Sequence, residues 1–255
     1  MRIAVVHPYF FPYIGYFQLI HAVDKCILYG GFNYLNKGWI NRNRILGSSP
    51  APIYVNAEIG NRSQNRKTSE IELLEPQRWK GKFLRSVRSC YGKSAHFDEA
   101  YALLEDAIRT DTVFLAELNA RCIASICRFL GIRTTIEPDG TPYAALEARL
   151  SRPEAELATE FPALRLAVYS RKVVRLLEIC RQEGAGGYVN PIGGRELYDR
   201  EEFARNGVQL RFVRTLPLAY PQRRPDFVPD LSIIDALMHC GRQGTAELLE
   251  KYELV

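Results

Sequence analysis

The chain has 255 residues, of which 47% are hydrophobic and 25% are charged, with a formal net charge of +5. These proportions are those of a water-soluble globular protein with a sizeable core, and they exclude a disordered or low-complexity chain. No apolar run reaches the roughly 20 residues that span a bilayer, and His7, Pro8 and Pro12 interrupt the N-terminal stretch, so we predict a cytoplasmic protein with no membrane span and no signal peptide.

The first elements predict an α/β fold. Residues 2–6 form an apolar run typical of a buried strand, residues 13–23 have helical spacing, and residues 26–29 are apolar again. A strand, a helix and a strand within so short a length indicate a βαβ unit, and therefore a parallel sheet that this unit opens. Residues 52–57 predict a third strand.

The rest of the chain alternates helices and strands. Three helical patterns between residues 76 and 130 predict a helical insertion within a single α/β domain that spans residues 1–255. Residues 142–162 fit no element. The later predicted elements are a short strand within 131–140, a helix at 168–182, a strand at 188–190, a short helix at 200–206, a strand at 208–213 and two helices at 231–240 and 245–252.

An aromatic loop, HPYFFPYIGYF, follows the first strand at residues 7–17. In an open α/β sheet this loop lies at the edge where ligands bind, and the next helix offers free N–H groups to an anion. Gly15 would allow a phosphate or a ring to approach the backbone. We predict that Tyr9, Tyr13 and Tyr16 contact a flat ligand such as a nucleobase or a sugar face. The alternative is that Phe10, Phe11 and Phe17 simply belong to the core.

The end of this loop, FPYIGYF, resembles the P-x-H-x-G-H element of class I nucleotidyltransferases and adenylate-forming ligases. In that element two histidines and a glycine hold nucleotide phosphates. The resemblance implies a nucleotidyltransferase-like (HUP-type) core, with ATP and Mg²⁺ as co-substrates. This chain has Tyr13 and Tyr16 in place of the histidines, and tyrosine carries no positive charge near pH 7.

The segment KGWINRNRIL, residues 37–46, is rich in amide and guanidinium groups. If the segment is extended, Asn41 and Asn43 face one way and Arg42 and Arg44 the other. Paired arginines suit a phosphate or a carboxylate, although a structural ion-pair edge would have the same pattern. The predicted binding residues here are Lys37, Trp39, Asn41, Arg42, Asn43 and Arg44.

The stretch YVNPIGGRELYD, residues 188–199, follows a predicted strand at the same edge of a parallel sheet. Asn190 precedes a proline, and Gly193 with Gly194 would let backbone N–H groups turn toward a ligand. An ordinary strand-to-helix turn is the alternative. Glu196 and Asp199 are carboxylates within this loop, and either could act as general base for an amine nucleophile.

His7 is the rival candidate for the general base, because it is titratable and lies at the end of the first strand. Further along, Ser232 and Asp235 have the spacing of a helix cap. The alternative is that Asp235 and His239, four residues apart on one helix face, form a polar pair that lines the site.

Basic residues are concentrated between residues 37 and 93, where twelve lysines and arginines face four glutamates. Such an excess attracts phosphate groups, either of a small anionic substrate or of RNA such as tRNA, and a solvated basic face is the alternative. The six cysteines show no C-x-x-C pair and no clustering with histidine, so we predict packed, reduced thiols and no metal ligands. Cys180 and Cys240 are the candidates to test for a catalytic thiol.

Four stretches together resemble the WbqC-like family: HPYFFPYIGYFQLIHAVDKCILY, YLNKGWINRNRIL, YVNPIGGRELYD, and YPQ followed by FVPDLSIIDALMHCG. Members are bacterial proteins often encoded among O-antigen and other surface-polysaccharide genes. The resemblance implies a transferase that attaches an amino acid such as glycine, or another acyl group, to an amino sugar. The chain departs from the pattern at His7, where glutamine is usual, and at Gly30 and Gly31, where an acidic pair is common. If that pair binds a metal or acts as base in relatives, this member has lost the activity or uses the fold differently.

The predicted function is therefore acyl or aminoacyl transfer to an amine of an amino sugar or sugar nucleotide, with an ATP-derived acyl-adenylate as one route. The alternatives are a tRNA- or nucleic-acid-binding protein and a non-catalytic assembly protein of a glycan pathway.

Overall fold

The structure, a computed structural model, describes residues 1–47, 51–60 and 62–255 of the chain. Eight strands form in these described ranges, among them the runs predicted at residues 2–6, 26–29, 52–57, 188–190 and 208–213. They are β1 (Arg2–Val6), β2 (Lys25–Leu28), β3 (Arg42–Ile45), β4 (Ile53–Asn56), β5 (Thr135–Glu137), β6 (Gly187–Pro191), β7 (Gln209–Thr215) and β8 (Tyr252–Leu254).

Helices fill most of the remaining chain, together with short 3-10 turns at Thr68–Glu70, Thr141–Tyr143, Glu154–Glu156 and Ile192–Leu197. None of the helices in these described ranges is both long and apolar enough to cross a bilayer. The helices are α1 (Ile14–His21), α2 (Pro76–Tyr91), α3 (Phe97–Ile108), α4 (Leu115–Leu130), α5 (Ala144–Leu150), α6 (Leu157–Glu160), α7 (Arg171–Gln182), α8 (Arg200–Arg205) and α9 (Ile233–Leu249).

The main sheet confirms the predicted α/β class. Its six strands lie in the order β5-β2-β1-β6-β7-β8, and every neighbouring pair is parallel except β7 with β8. The five parallel strands follow the order of a doubly wound fold, in which the first strand lies in the middle. The predicted strand at 52–57 forms as β4, but it pairs antiparallel with β3 in a separate hairpin.

The centre of the sheet is buried on both faces, which explains the continuous apolar run of β1. Ala4 and Val6 face one core, packed with α1, α2, α3, α4 and α9. Ile3 and Val5 face the other core. Residues 142–162, which fit no element in the sequence, form α5 and α6 on this second face and contribute Leu146, Leu157 and Phe161 to its core.

The C-terminal elements agree with the sequence prediction in part. The predicted break between two helices is confirmed, because α9 is kinked at Gly241, whose backbone is non-helical with φ of 61°. Ser232 caps it by accepting a hydrogen bond from the Ile234 N–H. The predicted second helix extended to residue 252, but Tyr252–Leu254 instead forms the antiparallel edge strand β8 because it completes the hydrogen bonds of β7.

Candidate functional site

The carboxyl ends of β1 and β6 form the point of the sheet where ligands are expected. The chain runs from β1 to β2 on one side and from β6 to β7 on the other, and in doubly wound folds ligands bind where the strand order reverses in this way. His7 directly follows β1, and Pro191 ends β6. The aromatic loop and the glycine loop therefore leave neighbouring strands at the same edge.

The aromatic loop contains two kinds of ring. Phe10 and Phe11 are fully buried and pack on Phe83, with ring centroids 5.5 and 5.3 Å away. Phe17 is also fully buried, so the core interpretation holds for all three phenylalanines. Tyr9 and Tyr13 remain partly exposed. The loop therefore fills part of the core with its phenylalanines and leaves two tyrosines partly exposed at the edge of the sheet.

The amides of Asn41 and Asn43 are bound to the protein's own chain. Asn43 Nδ2 donates to the carbonyls of Phe10 and Phe11, at 3.1 and 2.8 Å, and Phe11 has φ of 41°. Asn41 accepts a hydrogen bond from the Tyr34 hydroxyl and donates to a backbone carbonyl. Asn43 thus fixes the shape of the aromatic loop. Ligand binding by these amides stays a prediction. Their contacts do not favour it, because both amides already bind groups of the protein itself.

Of the other predicted residues of this segment, Arg42 and Arg44 lie on β3, and Lys37 and Trp39 precede it. The Arg42 guanidinium donates to the carbonyl of Lys37 at 2.6 Å and lies 4.9 Å above the Tyr54 ring. Arg44 lies 5.6 Å above the Trp39 ring and donates to a backbone carbonyl at 3.3 Å. Within the described residues, no hydrogen bond, ion pair or ring contact joins these side chains to His7. The structure therefore connects the hairpin to the aromatic loop through Asn43, but not through the arginines.

His7 is the titratable group at the end of β1. Its ring stacks 5.9 Å from Tyr9 and lies 4.7 Å from Phe32, and its backbone carbonyl accepts a hydrogen bond from the Tyr16 hydroxyl at 2.8 Å. Its Nδ1 is buried, and no described residue forms a hydrogen bond with it. Burial lowers the pKa of His7 to about 4. The imidazole is therefore neutral at pH 7 and has a free nitrogen.

An ion pair that the sequence analysis missed lies beside His7. The Arg175 guanidinium binds both carboxylate oxygens of Glu147, at 2.5 and 3.2 Å, and lies 5.5 Å above the Phe32 ring. The Tyr29 hydroxyl donates to the same carboxylate at 2.6 Å, and Lys67 Nζ lies 3.9 Å away. We call His7, Tyr9, Tyr16, Tyr29, Phe32, Glu147 and Arg175 the switch-point cluster.

The charge of this cluster is fixed by its hydrogen bonds. Burial raises the pKa of Glu147, but the hydrogen bonds from Arg175 and Tyr29 outweigh that effect and lower the pKa below its ordinary value. The carboxylate is therefore ionised, and it compensates the guanidinium. The signal for this pair was present in the sequence, since Arg175 is a cation on the apolar face of α7, among Val173, Val174 and Leu176.

The glycine loop after β6 forms a 3-10 turn at Ile192–Leu197. A Cβ atom at Gly194 would lie 2.1 Å from Asn190 Nδ2, so this position requires glycine for the asparagine to pack there. A Cβ atom at Gly193 would meet nothing within 4 Å. Asp199 is the N-cap of α8 and accepts a hydrogen bond from the Glu201 N–H at 2.8 Å, whereas Glu196 is exposed. Both loop carboxylates are exposed, but one oxygen of Asp199 is engaged in the helix cap.

The start of α1 is covered by the protein itself. A Cβ atom at Gly15 would lie 2.5 Å from the Tyr13 ring and 2.9 Å from Thr215 Oγ1. Tyr13 also forms a backbone bridge with Ser232, and the Tyr16 hydroxyl binds the carbonyl of His7. The space that a phosphate would need near Gly15 is thus occupied by a ring, and the resemblance to the nucleotidyltransferase element gains no support from this geometry.

Asp235 does not cap α9. Its carboxylate is fully buried and accepts hydrogen bonds from the Tyr91 and Tyr220 hydroxyls and from Gln222 Nε2, at 2.7, 2.9 and 2.9 Å. His239 Nε2 lies 3.7 Å from it, so the two residues form the pair that the sequence offered as the alternative. This pair is part of a different region from the switch-point cluster, since no described contact links the two.

The thiols offer no ready nucleophile. Burial raises the pKa of Cys180 to about 12 and that of Cys240 to about 11. Both therefore stay protonated near neutral pH. None of the six cysteines is in a disulfide.

Comparison with known proteins identifies the family. The model of the WbqC-like protein family matches residues 7–247. The chain belongs to this family. A curated relative, the uncharacterized protein Rv1507c of Mycobacterium tuberculosis, is 26% identical over 245 residues, which cover 95% of each chain. No solved structure matches this WbqC-like protein.

The structure also describes the two glycines at which this WbqC-like protein departs from the pattern that the resemblance implies. A Cβ atom at Gly31 would lie 2.6 Å from Tyr29 Cε1, and one at Gly30 would lie 3.1 Å from the Cβ of Ser69. A side chain at position 31 would therefore displace Tyr29, which binds Glu147, whereas one at position 30 would press against Ser69. In this chain, glycine at position 31 leaves the space that the Tyr29 ring of the switch-point cluster occupies.

Proposed function

We propose that this WbqC-like protein transfers an acyl or aminoacyl group to the amine of an amino sugar or sugar nucleotide, with His7 as the general base. The observation that carries the proposal is the neutral His7 imidazole, whose buried Nδ1 has no described partner and which lies where two strands diverge. An imidazole with a low pKa is a weak base, but it is already deprotonated at neutral pH, and it lies at the edge of the sheet where doubly wound folds bind ligands.

The reaction follows from the chemistry of the amine. The nucleophilic amine attacks the acyl carbon and forms the new C–N bond, while His7 accepts the proton that the nitrogen loses. The bond from the acyl carbon to the leaving group then breaks. The leaving group departs with the bonding electrons, and the imidazolium of His7 returns the proton to it.

The surroundings of His7 suit a sugar as acceptor. Tyr9 and Phe32 place partly exposed rings on either side of the imidazole, and an apolar sugar face stacks on such rings. Arg175 lies beyond Phe32 and is compensated by Glu147. The rings would thus orient the acceptor, and the ion pair would hold Phe32 in place.

A neighbouring cavity suits the acyl group. It has a volume of about 320 Å³, begins at Tyr13 in the aromatic loop, and is lined largely by apolar side chains such as Leu218, Phe227 and Leu231. Asp230 is the one carboxylate among its lining residues. An apolar slot with one carboxylate fits an aminoacyl group, whose ammonium would pair with Asp230.

We propose that the acyl donor arrives already activated, as a thioester or an ester. The ring of Tyr13 covers Gly15, and Tyr16 is committed to the carbonyl of His7, so the aromatic loop offers ATP phosphates little access. An acyl-adenylate made from ATP and Mg²⁺ is the competing route.

The test is product formation with matched variants. A sugar nucleotide that carries a free amine is incubated with an aminoacyl thioester, with aminoacyl-tRNA, or with ATP, Mg²⁺ and a free amino acid, and the amide is detected by mass spectrometry. We expect product with a preformed donor and no dependence on ATP. Pyrophosphate release that requires ATP and the amino acid would instead establish adenylation.

The variants separate the candidate bases. His7→Asn is expected to lower kcat by about 100-fold. Glu196→Gln, which removes a rival carboxylate from an exposed position, is expected to leave kcat within about twofold of the parent chain. The reverse order would assign the base to Glu196 and remove His7 from the proposal.

The nucleic-acid alternative gains no specific support from the structure. Several basic residues between 37 and 93 are engaged singly: Lys80 Nζ binds the carbonyl of Thr110, Lys82 lies 3.8 Å from Glu58, and Arg78 pairs with Glu75. They do not form one uninterrupted stripe that would follow a phosphate backbone. A tRNA partner therefore stays a prediction, and we propose no second function.

A further inference from the structure

A second polar region lies apart from the switch-point cluster, between the end of α2 and the loop around residues 222–225. It is a cavity of about 790 Å³, with Gln222 and His239 among its lining residues. It is also lined by four cationic side chains, Arg88, Lys93, Arg223 and Arg224. No carboxylate is found among the described residues that line it. The acyl-transfer proposal does not use this cavity.

The four cations come from two separate parts of the chain. Arg88 and Lys93 lie at the end of α2 and just after it, whereas Arg223 and Arg224 belong to the proline-rich loop before α9. Cations near a helix C-terminus are common, because they compensate the helix dipole and the free carbonyls. That explanation accounts for Arg88 and Lys93. It does not account for two further arginines that the other loop brings to the same cavity.

Two of the guanidinium groups are held in position. Arg88 lies 4.5 Å above the Tyr101 ring and 5.5 Å above the Phe97 ring. Arg223 donates to the carbonyl of Lys93, and its backbone has φ of 52°, a left-handed conformation that is uncommon for a residue with a side chain. Because the arginines are already oriented, less conformational entropy is lost when a ligand binds.

The nearest buried acid lies behind the cavity wall. Asp235 is fully buried and is bound by Tyr91, Tyr220 and Gln222. Tyr91 and Gln222 themselves line the cavity, so they separate the carboxylate from the interior of the cavity. Arg88 and Arg223 therefore line a cavity that has no carboxylate among its described lining residues, and an anion in that space would relieve the repulsion between them.

We propose that this cavity is an anion site that binds the phosphate or pyrophosphate group of a small molecule. Arginine binds phosphate oxygens through two parallel hydrogen bonds, and Arg88 of α2 and Arg223 of the proline-rich loop supply that chemistry from two parts of the chain. A concave space of several hundred Å³ has the size of a small-molecule site. A polynucleotide would instead require an extended groove.

The proposal is tested by isothermal titration calorimetry of the full chain with inorganic pyrophosphate at low ionic strength, with sulfate as a competing anion. Arg88→Gln and Arg223→Gln each remove one oriented guanidinium, and each is expected to weaken pyrophosphate binding about tenfold. The matched control is Arg205→Gln. It removes the same charge from an exposed helix position, where Arg205 lies 3.9 Å from Glu201, and it is expected to keep the affinity within about twofold.

His7→Asn distinguishes this site from the switch-point cluster. If pyrophosphate binds in the cavity, His7→Asn leaves its affinity unchanged, whatever that variant does to acyl transfer. Loss of binding in His7→Asn would place the pyrophosphate at the switch-point cluster and overturn the proposal.

Three other results would also overturn it. They are no binding of pyrophosphate at about 10 mM, an equal loss of affinity in Arg205→Gln, and salt-sensitive binding of RNA without binding of pyrophosphate. Melting temperatures of the variants are measured first. If Arg88→Gln does not fold, Arg223→Gln carries the test alone.

Discussion

Glu147 and Asp235 each lie at the centre of a hydrogen-bonded cluster, but their partners differ. Glu147 is bound by the Arg175 guanidinium and the Tyr29 hydroxyl, with Lys67 nearby. Asp235 is bound by two tyrosine hydroxyls and an amide, and its only titratable base partner is His239 at 3.7 Å. The first carboxylate is paired with a cation, whereas the second is held almost entirely by neutral donors.

This difference gives the two carboxylates opposite pKa shifts. Burial raises the pKa of both, but at Glu147 the hydrogen bonds from Arg175 and Tyr29 outweigh burial and the net pKa is lowered. At Asp235 burial outweighs its hydrogen bonds and the pKa is raised. Two carboxylates whose pKa is raised by burial can therefore respond to pH in opposite ways, according to whether a guanidinium is present.

The largest expected effect comes from removing the cation that distinguishes Glu147. Arg175→Met leaves the carboxylate partly buried without its main partner, so we expect the free energy of unfolding to fall by about 3 kcal/mol. Urea denaturation measures this change. Arg205→Met, at an exposed position, is the control and is expected to cost less than about 0.5 kcal/mol. A loss below about 1 kcal/mol in Arg175→Met would contradict the assigned pairing.

The next effect concerns His7, which adjoins the Glu147 cluster. The folded chain keeps His7 neutral down to about pH 4, but the unfolded chain protonates it near pH 6.5, so unfolding takes up a proton between these values. The free energy of unfolding of the parent chain, measured relative to that of His7→Asn, is therefore expected to fall by about 3 kcal/mol as the pH falls from 7 to 4. Urea denaturation at several pH values measures it, and a second variant, His7→Gln, should give the same trend. A stability difference that does not change with pH would show that the ring is accessible to water.

Glu147→Gln and Asp235→Asn test the contrast between the two carboxylates. Each is expected to lower the free energy of unfolding by about 2 kcal/mol at pH 7. The lowered pKa of Glu147 contributes stability above the unfolded pKa, and this is lost as the pH falls through the folded pKa. The cost of Glu147→Gln should therefore shrink in acid. The raised pKa of Asp235 contributes stability at low pH that is lost as the pH rises, so the cost of Asp235→Asn should grow in acid. Parallel trends in the two series of denaturation curves would refute the contrast.

The smallest effect separates the two loop carboxylates. Asp199→Ala removes the cap of α8 and is expected to cost about 1 kcal/mol of folding stability. Glu196→Gln is expected to change stability by less than about 0.5 kcal/mol, because the side chain is exposed. Thermal melts of both variants measure these changes in stability. Equal losses would show that Glu196 also holds the loop.

Much of the fold was predictable from the sequence because local patterns determine it. The run from Arg2 to Val6 gave the bounds of β1, and the short distance to β2 indicated the parallel pairing. The alternation in β3 correctly placed Asn41 and Asn43 on one face and the arginines on the other. It could not show that the amide face points inward, because that depends on the aromatic loop, which is distant in sequence.

The switch-point cluster was less predictable, since its partners are far apart along the chain. Tyr29 and Glu147 are separated by 118 residues, and Glu147 and Arg175 by 28. Helical periodicity places Arg175 on a buried face but does not name its partner. The sequence identified His7 as titratable. Its low pKa results from the packing of Tyr9 and Phe32 around it, which periodicity does not reveal.

Gly31 has a consequence for the evolution of this protein. Any side chain there meets the Tyr29 ring, and that ring is fully buried with its hydroxyl on Glu147. An acidic residue at position 31 and the inward tyrosine are therefore alternative packings that exclude each other. A lineage could exchange one for the other only through paired substitutions, so the glycine and the tyrosine should be inherited as a unit.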